Sequence, residues 1–156
     1  MLSTKLAVIT GSASGIGLST AKLFLKNGAN LALVDFSKTI DNIAKELEAD
    51  AKLYQVKVSS HICDVSKSDQ VNKLFNDIND VHTSFKAPNV IVNSAGIVRD
   101  AFLVKMTEEQ FDQVISTNLK GYLNYKLKLK SIKIIYFENR HSFSKNYLKN
   151  ILVKLN

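Results

Sequence analysis

The chain reads as an α/β protein built on a doubly wound parallel sheet, and three observations point there. Short apolar runs alternate with stretches of helical periodicity, a glycine-rich turn follows the first run, and an acid closes the second. Lys5 to Thr10 is the first strand-like run. Behind the turn, Ile16, Ala21, Leu23, Phe24 and Leu25 recur at a spacing that gives a helix one apolar face, and Asn27-Gly28 stops it. Leu31-Ala32-Leu33-Val34-Asp35 is apolar without alternation until its final acid, the pattern of a parallel strand buried on both faces. A second helix is expected over about Thr39 to Ala49, with Ile40, Ile43, Ala44 and Leu47 on one side, and a third strand over Leu53 to Ile62.

Ser66 is the expected N-cap of a third helix, in which Val71, Leu74, Phe75 and Ile78 return once per turn. Val90-Ile91-Val92 makes a fourth strand. Thr107, followed by Glu108, Glu109 and Gln110, caps a fourth helix that runs through Phe111, Val114 and Ile115, its acids placed against the positive end of the helix dipole. The predicted order is βαβαβαβα, with the sheet expected to stop after its fourth βα unit.

Composition separates the chain into two parts. Residues 1–121 carry 13 Lys plus Arg against 13 Asp plus Glu, whereas residues 122–156 carry eight basic residues and one acid, Glu138, so the net charge of +7 belongs to the last 35 residues. That tail has no glycine or proline and is crowded with Lys, Asn, Ile, Leu, Tyr and Phe; within it only Lys133 to Phe137 has the make-up of a strand. An RNA- or membrane-contacting segment is one reading of it. The preferred reading is translated non-coding sequence, a splice variant or a gene-model error, because these residues share AT-rich codons. No apolar run approaches the roughly 20 residues of a membrane span. The single Cys63 cannot form an internal disulfide, so an intracellular setting is expected, with cytoplasm and mitochondrial matrix both open. Cys63 is expected to pack as a small apolar side chain. His61, His82 and His141 lack ligand spacing and are expected to be surface or hydrogen-bonded histidines, with no metal and no nucleic-acid partner.

The chemistry is concentrated around Thr10-Gly11-Ser12-Ala13-Ser14-Gly15-Ile16-Gly17, between the first strand and the first helix. Gly11 would allow the tight turn, Gly15 the approach of a diphosphate to the backbone, and Gly17 close packing of helix on strand, while the helix N-terminus supplies partial positive charge. A glycine-rich turn with no ligand is the alternative. Asp35 stands 18 residues after Gly17, about where a carboxylate accepts hydrogen bonds from the adenosine ribose in a Rossmann-type fold. A carboxylate there repels a 2′-phosphate, and Phe36, Ser37 and only then Lys38 follow it, which favours NAD over NADP.

With these residues the chain resembles the classical short-chain dehydrogenases/reductases, whose glycine motif has the spacing of Thr10 to Gly17. The likeness implies cofactor-binding roles for Gly11, Ser12, Ser14, Gly15, Ile16, Gly17 and Asp35. Asp64-Val65 resembles the pair that meets the adenine ring, and Asn93-Ser94-Ala95-Gly96 resembles the Asn-Asn-Ala-Gly motif, with Ser94 in place of its second Asn. Asn118 in Asn118-Leu119-Lys120-Gly121 resembles the helix Asn that supports a water relay to the catalytic lysine. The run from Ala95 to Thr107 is similar to the 3-oxoacyl-carrier-protein reductase branch and, together with Phe85-Lys86-Ala87-Pro88 and Asp35, to its 17-beta-hydroxysteroid dehydrogenase relatives. The resemblance therefore implies a nicotinamide cofactor, an acyl or steroid substrate in a full-length relative, and homo-oligomers whose contact helices are partly lacking here.

The family's Ser and its Tyr and Lys, one helical turn apart, follow a fifth strand and are not found in this chain. Tyr122 and Lys126 have the right mutual spacing, with Tyr125 between them, but they come four residues after Asn118, and the matching serine position falls on Glu109. Tyr136 and Tyr147 lack a Lys four residues on, and Ser131, Ser142 and Ser144 have no partner set. The expectation is a half of an oxidoreductase, residues 1–121, that binds NAD at most and is inactive by itself. A non-catalytic nucleotide-binding or subunit-docking module, contacting an acidic surface through the basic tail, is the second reading.

Overall fold

The computed structural model describes residues 2–99, 103–126 and 133–136. Its first half follows the predicted alternation: β1 (Leu6–Thr10), α1 (Gly15–Lys26), β2 (Asn30–Asp35), α2 (Ile40–Leu53), β3 (Val58–Ile62), α3 (Ser68–Val81) and β4 (Val90–Asn93). A long helical rod comes next, made of α4 (Glu108–Val114), a π-helical segment (Ile115–Lys120) and α5 (Gly121–Lys126). The strands form one parallel sheet in the order β3-β2-β1-β4-β5, where β5 is Lys133–Tyr136.

Alternate residues of each strand serve opposite faces, which explains why the strands read as unbroken apolar runs. Ala7, Ile9, Leu31, Leu33, Val90 and Val92 meet Ala21, Phe24 and Leu25 of α1 and Ile40, Leu47 and Ala51 of α2. Leu6, Val8, Ala32, Val34 and Ile91 face the other way, onto Val71, Leu74 and Ile78 of α3 together with Cys63 and Val65. Cys63 is thus a packing residue, as expected. Burial and the carboxylates of Asp64 and Asp69 push its thiol up to about 11, so it stays protonated.

Three expectations need correction. The sheet does not stop after four strands, because Lys133–Tyr136 pairs in parallel with β4 from Val90↔Lys133 to Asn93↔Tyr136. The second helix runs on to Leu53, and Gln55, at φ 55, turns the chain into a strand that starts only at Val58. Ser66 is not the N-cap of α3. Its hydroxyl donates to Asp64 Oδ1 at 2.7 Å, and Lys67 occupies the cap position instead. His61 and His82 are hydrogen-bonded histidines, as expected, and they share one partner: their Nε2 atoms lie 2.8 and 2.9 Å from the same Ser59 hydroxyl. His141, Ser131, Ser142, Ser144 and Tyr147 lie outside the described residues. Among the described residues, no helix is long and apolar enough to cross a membrane.

Candidate functional site

The chain leaves β1 for β2 and β3 on one side, then returns to place β4 on the other. Loops at the carboxyl ends of β1 and β4 must therefore diverge, and a crevice opens between them. The floor of that crevice is fastened by Thr10. Its hydroxyl donates to Asn93 Oδ1 at 3.0 Å and accepts from the backbone N–H of Ala95 at 3.1 Å and of Ser94 at 3.3 Å.

The glycines of the turn have three different steric reasons. Gly11 has φ 65, and a Cβ there would stand 2.7 Å from the Ser94 carbonyl oxygen. Gly17 admits no side chain, since its Cβ would lie 2.1 Å from the Gly11 oxygen. Gly15 has φ 53, but nothing approaches within 4 Å of its Cβ position, so this backbone faces open space. Ser14, at the N-cap of α1, makes no side-chain cap, and the first turn holds no acid. The leading N–H groups of α1 are thus left to whatever enters the crevice, which suits an anion.

Asp35 forms a wall beside them. One carboxylate oxygen accepts from Ala13 N–H at 3.0 Å and the other from Ser37 N–H at 2.9 Å, which joins the end of β2 to the glycine turn. A carboxylate has about four acceptor sites, so two are left over after these bonds. Beside it, after the neighbouring β3, Asp64 ties its own turn together through Ser66 N–H, at 2.9 Å, and the Ser66 hydroxyl. Asn118, in the π-helical segment, clamps the loop after β4: Ile97 N–H donates to its Oδ1 at 2.9 Å, and its Nδ2 donates to Ile97 O at 3.0 Å. Helical irregularities of this type recur at functional sites.

Together these loops enclose a cleft of about 780 Å³, within the range of small-molecule and cofactor sites. Of the residues singled out from the sequence, Gly11, Ser14, Gly15, Ile16, Asp35, Asp64, Val65, Ala95 and Gly96 line it. Ser12, Gly17 and Asn93 are buried behind the lining, where Ser12 donates its hydroxyl to Val34 O at 3.1 Å. Asn118 stands behind the wall at Ile97. Sequence reasoning passed over Phe36 and Arg99 as cleft residues, together with Gln113, Ser116 and Thr117 of the rod. Phe36 carried a signal, because a large apolar side chain directly after the strand-ending acid has no core to enter; it is 76% exposed. Tyr122 is on α5, in the same rod as Asn118, and does not belong to the cleft lining.

Residues 5–130 match the short chain dehydrogenase family. The chain belongs to that family. The 3-oxoacyl-acyl-carrier-protein reductase FabG of Thermotoga maritima is 40% identical over 124 residues, which are 79% of this chain and 48% of the relative. This short-chain dehydrogenase thus spans about half the length of the curated relatives it matches. L-sorbose reductase from Gluconobacter frateurii, solved with NADPH and L-sorbose, superimposes with a TM-score of 0.76 at 25% identity, covering 86% of this chain and 52% of that one. An alcohol dehydrogenase from the archaeon Thermococcus sibiricus, solved with 5-hydroxy-NADP, gives 0.68 at 32% identity, over 77% of this chain and 49% of its own.

Proposed function

We propose that this short-chain dehydrogenase holds a nicotinamide dinucleotide in the cleft, prefers NAD to NADP, and forms the cofactor-binding half of an enzyme that interconverts hydroxyl and carbonyl groups. The observation that carries the reading is the Asp35 carboxylate, fixed by Ala13 and Ser37 on the wall beside an uncapped helix N-terminus. The amides from Ser14 to Ile16 would receive the diphosphate, Asp35 the adenosine ribose, and Asp64 and Val65 the adenine. Ala95 and Gly96 would flank the cofactor beyond them, while Ser12, Gly17 and Asn93 keep the floor in shape. The cofactors in the sorbose reductase and archaeal dehydrogenase structures support the nicotinamide class. Both are of the NADP type, so the preference for NAD rests on Asp35, whose charge opposes a 2′-phosphate.

When bound, the nicotinamide supplies the hydride, and hydride transfer to a carbonyl leaves charge on oxygen that needs a positioned proton donor. Tyr122 lies outside the cleft lining, so we assign the cofactor contacts to residues 1–121, with the basic stretch 122–156 beginning on the Asn118 rod. For the whole protein, reduction of 3-oxoacyl thioesters is supported by the Thermotoga relative, with 17-beta-hydroxysteroid oxidation as the other branch. In the family Asn118 would hold the water relay; here it would also keep Ile97 in place.

Fluorescence titration tests the assignment directly. NADH should bind at least ~10-fold more tightly than NADPH, and Asp35→Ser should erase that difference. Equal or tighter binding of NADPH by the unaltered chain would overturn the cofactor choice, and binding of neither would overturn the function. The chain should not consume NADH with 3-oxoacyl or steroid substrates; turnover abolished by Tyr122→Phe would contradict this.

A further inference from the structure

The basic stretch after Gly121 opens with a helical turn that grips the cleft. Gly121 packs so closely against the loop after β3 that a Cβ there would come within 2.8 Å of Val65 Cγ2. Glycine inside a helix costs roughly 1 kcal/mol relative to alanine, so this close approach gives the residue its reason. Three residues later, on the same side of the helix, Asn124 donates its Nδ2 to the Val65 carbonyl oxygen at 2.9 Å. Val65 is thus held twice by α5, through its side chain and through its carbonyl. Val65 also lines the cleft, next to Asp64.

One rod therefore fixes two cleft walls. Asn118 takes Ile97, on the loop after β4, and Asn124 takes Val65, on the loop after β3. Within its own turn the Asp64–Ser66 loop is closed by Asp64, whose N–H also donates to Gln70 of α3 at 2.9 Å. Those bonds set the shape of the turn. The Asn124 bond adds a tie from that turn to the rod.

We propose that Asn124 is a positioning residue of the nucleotide site: without touching the ligand, it sets the Asp64–Val65 wall and so the affinity for the adenosine end. The inference rests on the dinucleotide reading above. A purely structural role would lower thermal stability and leave the affinity of the folded protein unchanged, so affinity is the readout. Titrations with AMP and NADH should show that Asn124→Leu, similar in shape but without a donor, binds both about five- to tenfold more weakly, the size of one lost hydrogen bond. Asn124→Gln, which keeps an amide donor, should recover most of the loss. Gly121→Ala, which pushes on the same Val65, should weaken AMP in the same direction, whereas Ser60→Ala, remote from the cleft, should not. If Asn124→Leu does not fold, Asn124→Ser, too short to reach Val65, takes its place. Unchanged AMP affinity in a folded Asn124 variant would overturn the positioning role while leaving the function intact. Failure of the unaltered chain to bind AMP and NADH would overturn both.

Discussion

His82 shows how much a single side chain can depend on its surroundings. It is 2% exposed, its Nε2 meets the Ser59 hydroxyl, and its Nδ1 has no hydrogen-bond partner among the described residues. Burial first, and then the nearby Lys57 ammonium and His61, push its imidazole down to about 4, against a small opposing contribution from the Leu31 backbone. Burial likewise lowers His61, with Asp77 acting in the other direction and Lys73 reinforcing the shift. The folded state therefore resists protonation of His82 while the unfolded chain accepts it near 6.5. Stability from this site is complete above about pH 6.5 and is lost as pH falls toward 4, by roughly 2–3 kcal/mol. Urea unfolding at pH 7.5 and 5 should show the drop, and His82→Phe should flatten it; equal slopes in the two proteins would contradict the assignment. None of this was legible in the sequence, where residues 59, 61 and 82 share no pattern. The glycine turn was legible from its place between a strand and a helix, although the Ser94 carbonyl that Gly11 makes room for comes from a distant loop. Ser12 turns its hydroxyl to Val34 O, behind the cleft lining, and spacing does not reveal which way a hydroxyl turns.

The rod from Glu108 to Lys126 begins with a cap that the sequence announced. Thr107 Oγ1 accepts from Gln110 N–H at 3.3 Å, and Gln110 Oε1 accepts from Thr107 N–H at 3.1 Å, the reciprocal pair of a capping box. Thr107→Ala should lower stability by about 1 kcal/mol in urea melts, and Thr107→Ser should keep most of it. No loss in the alanine variant would show that packing alone starts the helix. Other element ends were harder to read. At Leu53 one apolar residue fits the end of a helix or the start of a strand equally well, and the left-handed Gln55 decides between them. The π-helical segment around Asn118 leaves no mark in apolar periodicity, because it changes the hydrogen-bond ladder and not the residue types.

At the scale of the molecule, the cleft is assembled from loops that follow β1, β2, β3 and β4 and from the face of the rod. A ligand held by all of them binds the folded chain and not the unfolded one, so NAD should stabilise the protein by about 2.7 kcal/mol at one hundred times its dissociation constant. Thermal melts at rising NAD should move the midpoint upward, with AMP giving part of the effect. A midpoint indifferent to NAD at one hundred times its dissociation constant would contradict preferential binding by the folded chain. The fifth strand also belongs to this scale. Lys133 to Phe137 had the residues of a strand, but its partner, β4, could be known only once the sheet was assembled.

The order of elements, the glycine turn, the acid at the end of β2 and the cap at Thr107 came from the amino-acid sequence alone, because each expresses a rule that acts within a few neighbouring residues. The tertiary structure decided which distant groups meet: Asn118 with Ile97, 21 residues away, and Asn124 with Val65, 59 residues away. Such pairs depend on how helices and sheet settle against each other, and the pattern of residues along one element carries no record of the surface it will find.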